Sequence, residues 1–94
     1  MKSLPAGLAP YRRTPSFTSE TVPPALLRDH ATKAGVWGLI QVVSGALIYR
    51  IPQTREELRL VPGSPGVVEP EVLHSVELLD DAEFFVEFWK QAGD

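Results

Sequence analysis

Proline sets the first limit on what this chain can become. Pro5, Pro10, Pro15, Pro23, Pro24, Pro52, Pro62, Pro65 and Pro70 interrupt it, and seven glycines break it further. A proline removes a backbone donor and clashes with the preceding helical turn, so no early window is long enough for a good helix. The first 24 residues read as an extended arm with turns, with residues 1–9 as a flexible lead-in. At 94 residues the chain is one domain, residues 1–94, with a modest core.

Between the breaks the sequence favours strands. Residues 25–30 form a short candidate strand. Residues 36–51 are the clearest element, because Val36, Ile40, Val42, Val43, Ile48 and Ile51 are all β-branched and pack well on a pleated surface. Ser44-Gly45 sits midway and predicts a tight hairpin turn between strands 37–43 and 46–51, since glycine adopts a positive φ at no steric cost. Residues 52–57 read as a polar loop and Leu58-Arg59-Leu60 as a strand. Pro62-Gly63-Ser64-Pro65-Gly66 is a double turn, after which Val67 and Val68 open another strand. The last third is open between two readings. Leu78, Leu79, Ala82, Phe85, Val86 and Trp89 fall at helical spacing, with Asp81 as a candidate cap. The cluster Phe84, Phe85, Val86, Phe88 and Trp89 favours a strand. Short strands with regular punctuation elsewhere tip the whole toward an all-β sandwich or barrel.

Composition excludes several classes of function. There is no cysteine, which removes disulfides, thiolate zinc sites and a cysteine nucleophile. Any metal must be held by nitrogen and oxygen ligands. The net charge is -3, and beyond the adjacent Arg12 and Arg13 no basic stripe develops, so nucleic acid is not an expected partner. The longest apolar run is broken by Gly38, Gln41, Ser44, Gly45 and Arg50 and cannot span a bilayer as a helix. No secretory signal is visible, so a cytoplasmic location is the expectation. Gly63-Ser64-Pro65-Gly66 lacks the ending of a phosphate loop, and no serine has a nucleophile-elbow context. Arg12 and Arg13 read as a solvated pair on the arm.

Several stretches, taken in order, carry a resemblance. They are Tyr11-Arg12-Arg13-Thr14-Pro15-Ser16-Phe17, then Leu27-Arg28-Asp29-His30-Ala31-Thr32-Lys33-Ala34-Gly35-Val36-Trp37-Gly38, then Val43-Ser44-Gly45-Ala46-Leu47. Pro62-Gly63-Ser64-Pro65-Gly66-Val67-Val68-Glu69-Pro70, His74-Ser75-Val76-Glu77 and Phe85-Val86-Glu87-Phe88 complete the set. The chain resembles the TehB/YeaR-like domain family over nearly its whole length. The resemblance implies a small cupin-like (jelly-roll) β-barrel, found alone or fused in front of a methyltransferase acting on tellurite-like oxyanions. It implies a role in tellurite or related stress resistance. This chain has no glycine-rich cofactor loop after a strand, so no nucleotide-type cofactor and no methyl transfer carry over. It also departs from full cupins. His30 stands alone, with Thr32 at the place of the second histidine, while Gly63, Gly66, Pro70 and His74 fit the second cupin motif better.

His30 and His74 are the only histidines, 44 positions apart. Two neutral imidazoles can bind a divalent metal such as zinc, iron, manganese or nickel, and a carboxylate would complete a three-ligand face. Glu87 is the first candidate for that third ligand, because it interrupts an apolar cluster. Glu77 is the second and needs a bulge to reach the face of His74; Glu69 is the third, at the rim. Lys33 and Arg28 flank His30 and suit an oxyanion or another small-molecule ligand. Trp37 and Trp89 could line the pocket. Each residue also has an ordinary reading: histidines satisfied by backbone groups, Glu87 solvated or paired with Arg28 or Lys33, Trp37 in the core. Two functions follow. One is a metal-binding barrel holding a small anion or small molecule, with catalysis left open. The other is a metal-free, non-catalytic interaction or sensor module that forms a homodimer.

Overall fold

The computed structural model describes residues 3–93, and within them the chain is all-β with one short 3-10 turn. The strands are β1 (Leu8–Arg13), β2 (Trp37–Ile51), β3 (Glu56–Leu60), β4 (Gly66–Val68) and β5 (Ser75–Gln91). They form a single antiparallel sheet in the order β1-β5-β2-β3, with β4 pairing on β2 as well. Of the segment expected as a flexible lead-in, Leu8 and Ala9 are strand residues opposite Gln91 and Lys90, and Met1 and Lys2 lie outside the described residues. Among the described residues no helix is long and apolar enough to cross a membrane.

Two long strands dominate. β2 and β5 pair from Trp37↔Trp89 to Arg50↔Ser75, so β5 runs along one edge of β2 for almost all its length. The other edge is shared: Gly38, Leu39 and Ile40 take β4, and residues 47–51 take β3. Two long strands cannot enclose a core while flat. Both are therefore bent at the same level. Between the pairs Ser44↔Glu83 and Ala46↔Leu79, β2 supplies one residue, Gly45, and β5 supplies three, Asp80, Asp81 and Ala82. Gly45 has φ 71°, and Asp80 and Asp81 have φ 51° and 53°. This is a bulge with surplus residues on one strand, the usual means of kinking a sheet. It also flips the pleat of β2: Ile40 and Val42 point inward before it, Leu47 and Tyr49 after it.

Three sequence expectations are corrected here. Ser44-Gly45 is not a hairpin turn, because the positive φ of Gly45 is spent on the bulge and the strand continues. Residues 25–30 are not a strand. Pro24 opens a 3-10 turn, Pro24–Leu27, since its locked φ suits a helical start and it has no N–H to give a neighbouring strand. The expected loop 52–57 ends early, and β3 begins at Glu56. The open choice over the last third resolves as strand. Val76, Ala82 and Phe84 are buried with the period of two, and Asp81 serves the bulge instead of capping a helix.

The bent sheet closes around Val22, Ile40, Val42, Leu47, Tyr49, Leu60, Val68, Val76 and Phe84. Phe17 packs edge-on against Phe84, ring centroids 5.7 Å apart, where residue 17 bridges residue 84. Tyr49 is fully buried, and its hydroxyl donates to the Val67 carbonyl at 2.9 Å. Close packing needs glycine at position 66, where a Cβ would stand 2.6 Å from Leu60 Cδ1.

Candidate functional site

The connections around the sheet bring residues 30 and 74 together. His30 follows the 3-10 turn and His74 precedes β5, and the two form an isolated antiparallel bridge. The His30 N–H donates to the His74 carbonyl at 2.9 Å, and the His74 N–H donates to the His30 carbonyl at 2.8 Å. Their rings tilt against each other at 54° with centroids 4.1 Å apart. Each Nδ1 lies against a backbone carbonyl two residues back: Arg28 at 2.9 Å for His30, Val72 at 3.0 Å for His74. A carbonyl oxygen only accepts, so in each neutral ring the proton sits on Nδ1 and Nε2 carries the lone pair. Tyr49 meets His74 edge to face at 5.7 Å. His74 is buried, and loss of hydration lowers its pKa to about 4, with the neighbouring His30 acting in the same direction.

Both histidines line a cavity of about 330 Å³. Its floor is apolar and includes the buried Ile40, Val68, Val76 and Phe84. At its exposed rim stand Arg12 and Lys33, and among the described residues no aspartate or glutamate lines it. Arg12 is placed by β1: it pairs with Phe88, another lining residue, while Thr14 ties the strand end to Val86 through bonds of 2.9 and 3.0 Å. Lys33 is held by a closed loop. The Thr32 hydroxyl donates to the Val36 carbonyl at 2.7 Å, and the Val36 N–H donates to the Lys33 carbonyl at 3.1 Å. Thr32, at the place of a second cupin histidine, thus shapes the loop that carries the lysine.

The other candidates lie elsewhere. Glu87 pairs with Leu39 and Arg13 on the outer face of β5, and Gln41 Nε2 donates to its Oε1 at 3.4 Å. Glu77 is at the surface, 2.7 Å from Arg50 Nη1. Glu69 lines a second cavity with Tyr49, Glu56 and Val72. Trp37 shares the outer face with its cross-strand partner Trp89. Arg28 is outside the cavity lining, though its carbonyl orients His30. Among the described residues no group of three His, Cys, Asp or Glu side chains comes together as a metal site, so the expected three-ligand face is not assembled from these glutamates.

Arg12 is the residue the sequence reading passed over. Its signal was available in the alternation of β1. Adjacent residues of a strand face opposite sides, so Arg12 and Arg13 cannot share one face. Arg13 takes the outer one, with its guanidinium 3.8 Å from the centre of the Phe85 ring.

The family described as the TehB-like domain matches residues 12–86. Among curated proteins the chain is 30% identical over 90 residues to the probable S-adenosyl-L-methionine-dependent methyltransferase TehB of Haemophilus influenzae, covering 89% of this chain and 32% of that protein. A second strain gives 31% identity over 90 residues and the same coverage. The chain therefore spans about a third of the length of the curated relatives it matches. The crystal structure of TehB from Haemophilus influenzae superposes with a TM-score of 0.81 at 29% identity, covering 92% of this chain and 32% of that one. A crystal structure of a protein from E. coli strain K12 superposes with a TM-score of 0.88 at 24% identity, covering 97% of this chain and 98% of that one, a likeness of fold.

Proposed function

The chain belongs to the TehB-like domain family, and from that premise we propose that it is a binding module that seats an anionic group in the cavity beside His30 and His74. One observation carries the reading. Among the described residues the rim offers two cations, Arg12 and Lys33, and the lining contains no carboxylate to oppose them. In a chain of net charge -3, such a local excess of positive charge draws in anions selectively. A guanidinium fork and an ammonium point charge are the two side chains best suited to holding an oxyanion. A sheet bent around a cavity is also the arrangement that a cupin-like barrel uses to hold a small molecule at its mouth.

The divalent metal expected beside the histidines fits this donor set poorly. Two imidazoles would be its ligands, and Arg12 and Lys33 at the rim would repel it with no carboxylate among the described lining residues in compensation. No methyl-transfer step is assigned to these residues, since the methyltransferase relatives are about three times as long as the matched region. The role in tellurite or related stress resistance suits an anion-holding part.

Calorimetric titration of the protein with tellurite, phosphate and small carboxylates at neutral pH tests the proposal. At least one of these anions should bind, and Arg12→Ala with Lys33→Ala should weaken it by about tenfold or more. Binding that is indifferent to both substitutions would refute it.

A further inference from the structure

We infer that the anion this cavity takes is organic, a small acid with an apolar body, and not a bare inorganic oxyanion. The inference rests on the anion-binding reading and sharpens it. Size is the first argument. A cavity of about 330 Å³ has the volume of roughly ten waters, at the lower end of small-molecule sites, so an oxyanion of a few atoms would leave most of it empty.

Polarity is the second argument, and it runs along the depth of the cavity. Arg12 and Lys33 are exposed at the mouth, whereas Ile40, Val68, Val76 and Phe84 are buried at the floor. An oxyanion drawn inward would lose its hydration against aliphatic and aromatic walls that return no hydrogen bond. A ligand with its charge at one end meets both regions at once.

The histidines supply the third argument. Their Nδ1 protons are already committed to the carbonyls of Arg28 and Val72. In a neutral ring the nitrogen left over is an acceptor and can offer a buried oxyanion no donor. His74 is held neutral by its surroundings, so it brings no charge to the interior at pH 7. The interior therefore suits the uncharged part of a ligand.

Six probes test this by calorimetry on the full chain at pH 7: hexanoate and benzoate, the short anions acetate and tellurite, and the neutral alcohols hexanol and benzyl alcohol. Hexanoate or benzoate should bind at least about tenfold more tightly than acetate, tellurite or the matching alcohol. Arg12→Ala should weaken the acids and leave the alcohols unchanged. Val86→Phe, which fills the cavity from β5, should abolish acid binding. Val36→Phe does the same from the mouth loop and serves if the first variant unfolds in a thermal melt. Acetate or tellurite binding as tightly as the apolar acids overturns this inference and leaves the anion reading standing. Alcohols matching the acids, with no effect of Arg12→Ala, overturn the anion reading instead. Binding by none of the probes at millimolar concentration overturns both.

Discussion

Arg12 and Arg13 are neighbours along the chain and strangers in space. Arg12 stands at the rim of the histidine-lined cavity, while Arg13 lies over the Phe85 ring on the opposite face of the sheet. One peptide bond therefore separates a cavity-rim residue from a packing contact. Arg12→Ala should weaken anion binding by about tenfold or more, the worth of one charge-assisted contact, while leaving the melting temperature nearly unchanged. Arg13→Ala should do the reverse, costing about 0.5–1 kcal/mol of stability through the lost ring contact and leaving binding alone. Titration and melting of the two variants side by side check the assignment; equal effects on binding would contradict it.

Acid should destabilise the protein through His74. Its pKa falls from 6.5 when exposed to about 4 when folded, so below pH 6.5 the unfolded chain binds the extra proton more readily. The contribution is complete above pH 6.5 and is lost as pH falls toward 4, at up to about 1.4 kcal/mol per pH unit. Urea midpoints measured between pH 7 and 5 should decline for the wild type. In His74→Gln the decline over that window should be clearly shallower. Identical slopes would mean the ring is not held neutral.

Gly45→Ala should be severe. A Cβ there would stand 2.5 Å from the Asp80 carbonyl oxygen and 2.8 Å from Ala82 Cα, at φ 71°. Both the clash and the backbone conformation count against it, for a loss of about 3 kcal/mol or more. Gly63 is the control: its φ is 87°, yet a Cβ would meet nothing within 4 Å. Gly63→Ala should therefore cost only about 1 kcal/mol, the backbone share alone. Denaturant titration separates the two, and similar losses would remove the steric role of Gly45.

Tyr49→Phe should lower stability by about 1–3 kcal/mol, because it leaves the Val67 carbonyl of a buried strand without its side-chain donor. Equilibrium unfolding measures the loss. A neutral result would show that water takes over the hydroxyl's place.

Much of the strand content could be read from residue chemistry, but the bend could not. Val36, Ile40, Val42 and Val43 announce a strand by their branching, while the aromatic run after Asp81 favours a strand against a competing helical spacing and leaves the choice open. Ser44-Gly45 looks like a turn because a glycine's freedom is the same whether the chain reverses or merely kinks. What decides between them is the pair Asp80 and Asp81 on β5, remote in sequence and unremarkable in type. The histidines show the same limit. Their identity marks them as candidates, but their adjacency is created by the bridge between residues 30 and 74. Glu87 looked inward because it sits among aromatic residues, and the pleat turns it out with Gln41. Arg12 and Arg13 looked like one solvated pair because the segment carrying them read as an extended arm.

The partnership of β2 with β5 bears on how the chain comes to be folded. Trp37 finds its mate at Trp89, and Arg50 finds its mate at Ser75. Closing such distant contacts costs chain entropy before any packing is gained, so collapse should be slow relative to helical proteins of this size. During synthesis β2 emerges early and can recruit β3 and β4, yet its longest edge stays open until β5 is made. That edge is a template for any other extended chain nearby, which makes the interval before β5 arrives the time of greatest risk of aggregation.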